Sequence, residues 1–106
     1  MQGAIGMKKS HKLYVVTRRD LPKSYQAVQA GHALAEYLLQ TPSTEWNNGT
    51  LVYLGVNDEE ELAYQRDRLA LRSITHVEFR EPDIGDELTA IAAVCDGKAL
   101  ANLKLL

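Results

Sequence analysis

Leu88–Cys95 reads LTAIAAVC, eight residues in which only Thr89 is polar. A strand with one face in water alternates apolar and polar side chains, and this one does not. It is therefore expected as a central strand covered on both faces, which points to a layered α/β fold. Just before it, Thr75–Arg80, THVEFR, does alternate. That pattern predicts a strand with His76, Glu78 and Arg80 on one side and Val77 and Phe79 on the other. Residues 81–86, EPDIGD, form the short loop between the two.

Working back, Asn57-Asp58-Glu59-Glu60-Glu61 opens a helix that should end near Arg72. Acidic side chains suit the positive end of a helix dipole, and Asn57 with Glu60, or Asp58 with Glu61, makes a capping-box-like pair. Thr50–Val56, TLVYLGV, and Lys12–Thr17, KLYVVT, are β-branched and aromatic runs that read as strands. Pro22 biases Leu21 toward an extended backbone, so the first helix should begin after it, capped by Ser24, and run to about Gln40. Residues 41–49 carry turn chemistry throughout. Trp46 in that loop either anchors an interface or covers the loop's own underside. Residues 97–106 are expected to close with a short helix. The order β-α-β-α-β-β makes two crossovers that build parallel pairs, with a last connection able to reverse direction. Ligands then gather at the carboxyl ends of the parallel strands, here residues 17–23, 56–58 and 80–83.

A chain of 106 residues holds one domain. That domain is expected over residues 12–106, with 1–11 an N-terminal extension and Met7 an alternative start. No stretch reaches the apolar length of a membrane span, and the start lacks the apolar run of a signal peptide. Cys95 is the one cysteine, which excludes an internal disulfide, suits a reducing cytoplasm and reads as a structural thiol. His11, His32 and His76 are scattered without metal-ligand spacing, so no metal is expected. Neither a Walker sequence nor GxGxxG is present, so no nucleotide cofactor is indicated. The net charge of −2 is unevenly spread. Residues 1–35 carry six basic side chains against Asp20 alone, and the remainder carries six basic against thirteen acidic. An uneven split of this kind can attract polyanions despite an acidic total.

On the first helix, at 100° per residue, Tyr25, Gln29, His32 and Glu36 fall within an arc of about 60°. Ala27, Gly31, Leu34 and Leu38 lie opposite. One reading is the wet face of an amphipathic helix. The other is a site: His32 exchanges a proton near neutral pH, and Gln29 can orient a carbonyl or phosphate without a charge. Arg18, Arg19 and Lys23 lie just ahead of a helix N-terminus, which favours anions.

Leu13-Tyr14-Val15-Val16-Thr17-Arg18-Arg19-Asp20-Leu21 followed by Gln29-Ala30-Gly31-His32-Ala33 resembles the opening of the type II peptidyl-tRNA hydrolases. In that family a first strand ends in R-x-D-L and the next helix carries A-A-Q-x-x-H-A. The resemblance implies a three-layer α/β/α sandwich on a four-stranded mixed sheet, often a homodimer. It also implies metal-free hydrolysis of the ester joining a peptide to tRNA. Gln29 and His32 match the family's helix residues, and Asp20 matches the acid of its turn.

Two family features are missing. Tyr25 stands where the family has a lysine, with Lys23 the nearest substitute. Residues 81–86 replace the family's D-A-G-x-T loop, so Glu81 or Asp83 would supply the carboxylate, while Thr89 reads as structural. In this scheme His32 acts with Glu81 or Asp83 on a water. Gln29 and Lys23 polarise the carbonyl, and Arg18 and Arg19, with Asp20 and Tyr25, hold the substrate. The competing expectations are a non-catalytic RNA- or protein-binding module on the same fold, and a hydrolase for another small acyl or amide substrate.

Overall fold

The computed structural model describes residues 11–41 and 46–106. The expected N-terminal extension, apart from His11, and the middle of the 41–49 loop lie outside the described residues. The elements are β1 (Lys12–Arg18), α1 (Lys23–Gln40), β2 (Leu51–Val56), α2 (Glu59–Leu71), β3 (His76–Glu81), β4 (Glu87–Cys95) and β5 (Lys104–Leu105). They form an α/β fold on one mixed sheet of order β3-β4-β1-β2-β5. β1 and β2 run parallel, while β4 is antiparallel to both β1 and β3. β1, β2 and β3 therefore point the same way, and their carboxyl ends share one edge of the sheet.

Alternation along β1 divides the core. Leu13 and Val15 join Ala30, Ala33 and Tyr37 of α1 in one cluster, whereas Tyr14 and Val16 join Leu62 and Leu69 of α2 in the other. Leu62 and Leu69 are at most 1% exposed, and each such burial contributes about 1.5–3 kcal/mol. β4, central as its composition requires, feeds both clusters. Asp58 caps α2 by accepting from the Glu61 backbone N–H at 2.9 Å, and Glu61 reaches back to the Asn57 N–H at 2.8 Å. This is the second of the two capping pairs expected.

Four expectations are corrected. The sheet has five strands rather than four. Where a closing helix was expected, Gly97–Leu100 makes only a 3-10 turn, and Lys104–Leu105 pairs with the otherwise open edge of β2 at Leu54 and Gly55. So short a pairing depends on its neighbours and carries no periodicity of its own. Ser24 is not the cap of α1: the helix starts at Lys23, directly behind Pro22, with no side-chain cap. Proline's fixed φ, here −55°, sets that start, and the Gln26 amide instead ties down the Leu21 and Arg19 carbonyls.

The fourth correction is the rotation of α1. Gln29 lies against the sheet, 1% exposed, beside Ala30 and Ala33, while Val28 and Leu38 are 54% and 46% exposed. Small side chains at Ala30, Ala33, Ala90 and Ala92, together with polar partners for Gln29 inside the sheet, favour this face over the more apolar one.

Candidate active site

The carboxyl ends of β1 and β3 and the start of β4 meet beneath α1. The register of β3 on β4 shifts there: Phe79 opposes Ala90, but Arg80 opposes Leu88. Thr89 is the extra residue of a β-bulge. Bulges re-aim side chains, and this one turns Thr89 toward α1 while sending Leu88 into the opposite cluster. The Thr89 hydroxyl donates to Gln29 Oε1 at 2.6 Å, and Thr17 donates to the Thr89 carbonyl at 2.7 Å. With its oxygen so engaged, the Gln29 amide presents Nε2 to Glu81 Oε1 at 2.7 Å. The other Glu81 oxygen caps the Pro82–Ile84 turn by accepting from the Asp83 N–H at 3.2 Å.

Glu81 is 9% exposed. Its carboxyl is nevertheless held below the ordinary value of 4.5, chiefly by the Gln29 amide, then by the Asp83 N–H, with burial opposing and the nearby His32 charge assisting. Hydrogen bonds to the charged form outweigh desolvation here. His32 stacks on Phe79, ring centroids 4.4 Å apart and planes 8° from parallel, and keeps an exposed edge toward solvent.

The structure therefore brings Gln29, His32 and Glu81 together, and places the other expected site residues elsewhere. Arg18, 6% exposed, grips both oxygens of Asp20 at 2.9 Å, Glu87 at 2.8 Å and the Leu88 carbonyl at 3.1 Å. The pairing raises the Arg18 pKa, with Asp20 the main cause, and lowers that of Asp20. Arg19 lies over Gly55 and donates to the Leu105 carbonyl at 2.6 Å. Lys23 is exposed, with no hydrogen bond or ion pair among the described residues, and the Asp83 side chain is exposed. Tyr25 is half-buried one turn before Gln29. Sequence reasoning missed Thr17 as a member of the cluster and the role of Thr89. Threonine on an apolar strand looks structural, and a bulge leaves no mark in the pattern.

Among the described residues, no three His, Cys, Asp or Glu side chains converge to hold a metal, and no helix is long and apolar enough to cross a membrane. Of the three, Gln29 and Glu81 are buried and His32 is exposed, so the cluster meets solvent at the imidazole. Comparison with known proteins finds no matching family model and no matching curated relative. A solved structure, that of a protein of unknown function from Agrobacterium tumefaciens, is similar over 92% of this chain and 98% of its own, with a TM-score of 0.72 and 16% identity. At that identity the likeness is one of fold alone, and fold does not carry activity.

Proposed function

We propose that this chain is a divergent relative of the type II peptidyl-tRNA hydrolases that hydrolyses the ester between a peptide and tRNA. The observation that carries the reading is the buried Gln29 amide holding an ionised Glu81 next to His32. In this reading α1 and α2 form the outer layers of the family's α/β/α sandwich, and a homodimer in the cytoplasm is the working unit.

His32 takes a proton from water, and the charge of Glu81 stabilises the imidazolium that forms. The resulting hydroxide adds to the ester carbonyl. The carbon–oxygen bond to ribose then breaks, and the proton returns from His32 to the departing 3′ oxygen. Gln29 acts through Glu81, because its amide is already committed at both ends. Lys23 is the free cation at the start of α1, suited to the oxyanion or to a phosphate. With Arg18 and Arg19 engaged by carboxylates and carbonyls, few phosphate contacts remain, so binding should weaken only gently with salt.

Turnover of peptidyl-tRNA by the purified chain tests this. His32→Ala and Glu81→Gln should each lower the rate about 100-fold or more, the usual worth of general acid–base catalysis. Wild-type turnover no higher than that of His32→Ala would end the proposal. Tyr25 in the place of the family lysine favours a second reading, a non-catalytic binding module, which tRNA binding without turnover would support.

A further inference from the structure

A cleft of about 590 Å³ opens at the other end of the sheet from His32 and Glu81. Six residues of extended chain, at about 3.3 Å each, put Thr75 roughly 20 Å from Glu81. Ile74, Val94, Cys95 and Ala99 make the apolar floor at the end of the sheet, and Tyr37 and His11 stand beside it. The Cys95 thiol, 4% exposed, is pushed up to about 11 by burial, so at neutral pH it is an uncharged part of that floor. Arg72, Ser73, Thr75 and Asp96 form the polar rim. An apolar floor with a few convergent polar groups, at this volume, is the usual form of a small-molecule site.

Two features separate this rim from ordinary surface. Five of the six arginines have a side-chain partner: Arg18, Arg19, Arg66, Arg68 and Arg80. Arg72 alone has none among the described residues. The second feature is Ser73. It follows the end of α2 with φ +58°, and the Ile74 N–H closes back on the Leu69 carbonyl at 2.9 Å. Helices that end this way usually place glycine at the left-handed position, because a side chain there is strained. The serine at that position lines the cleft at a conformational cost glycine would avoid. Asp96 also lines the cleft, its carboxylate accepting from the Lys98 N–H at 2.8 Å, so the rim carries one positive side chain, Arg72, and one negative.

We propose that this cleft binds a small molecule with an apolar body and one anionic group, a carboxylate or a phosphate monoester. The anion lies on the Arg72 guanidinium, with the Ser73 and Thr75 hydroxyls donating beside it, and the body rests on Ile74, Cys95 and Ala99, which share one cluster. The inference is independent of the hydrolytic reading.

The test is titration of the whole chain with phenylacetate, phenyl phosphate and benzyl alcohol, followed through backbone amide chemical shifts. The two anions differ only in the group offered to Arg72, so the tighter one identifies the source chemistry. At least one should give saturable shifts at residues 73–75 and 94–96 below about 10 mM, a weak but specific affinity. Benzyl alcohol should give none. Arg72→Gln, at an exposed position, should weaken binding at least tenfold. Ser73→Gly should stabilise the fold yet weaken binding severalfold, and His32→Ala should leave it unchanged. Absence of saturable shifts with either anion, equal binding by Arg72→Gln, or equal binding of the alcohol would each overturn the proposal.

Discussion

Gln29 and Glu81, 52 residues apart in the chain, meet at 2.7 Å with the glutamine 1% exposed. The amide is the largest cause of the lowered Glu81 pKa. Gln29→Leu should therefore move the Glu81 carboxyl upward, because burial remains and the main donor is gone. The sign for stability follows from linkage. A carboxyl lowered by folding contributes stability above its unfolded value of about 4.5 and loses it as pH falls through the folded value. Wild-type protein should lose this contribution below about pH 4.5, and the variant should have less of it to lose. Carbon-detected titration of the Glu81 carboxyl checks this, and an unshifted curve would refute it.

Thr89 satisfies the Gln29 oxygen inside the fold. Thr89→Val keeps the shape but strands that oxygen without a donor, which should cost about 1–3 kcal/mol in denaturant unfolding. Thr89→Ser should recover most of the loss. Equal stability of the valine and serine variants would mean that the hydroxyl contributes nothing.

Arg18 holds Asp20, Glu87 and the Leu88 carbonyl with a side chain only 8% exposed, against 41% and 43% for its acidic partners. Half-exposed partners regain water when released, so Arg18→Met should cost about 2 kcal/mol, below the loss for a fully buried pair. Asp20 is lowered by Arg18. Its share of stability is thus present above the unfolded aspartate value and lost as pH falls through the folded one. Asp20→Asn should flatten that part of the acid limb, and an unaltered limb would show that the pair contributes nothing to folding.

Gly55 lies under the Arg19 guanidinium, where an added Cβ would fall 2.5 Å from Arg19 Cζ. Gly55→Ala should displace that flexible side chain and free the Leu105 carbonyl, loosening β5. Hydrogen exchange at Leu106, whose N–H bonds to the Tyr53 carbonyl, should speed up while β1 stays protected. Unchanged exchange would show that Arg19 does not hold β5.

Much of the fold is legible because its signals are local. The apolar run of β4, the alternation of β3 and the acidic start of α2 each report a periodicity or a cap. The site was half legible. The spacing of Gln29 and His32 is visible in the helix, but the partners of Gln29 come from other strands, and nothing near Thr89 marks the bulge that aims it. Asp20, two residues on, is a local partner of Arg18, but Glu87 and the Leu88 carbonyl, like the Lys104 and Leu105 carbonyls that hold Arg19, lie far along the chain.

By itself, then, the chain's local chemistry determined the first six elements, their order and the central place of β4, since hydrophobic period and capping act within a few residues. Tertiary structure alone decided which face of α1 is buried, the fifth strand, and which charges are spent on each other. Those outcomes depend on long-range register and on partners that satisfy a buried polar group. In QAVQAGHA, Gln29 looks like a residue of the wet face, and it turns inward because Thr89 and Glu81 await it there.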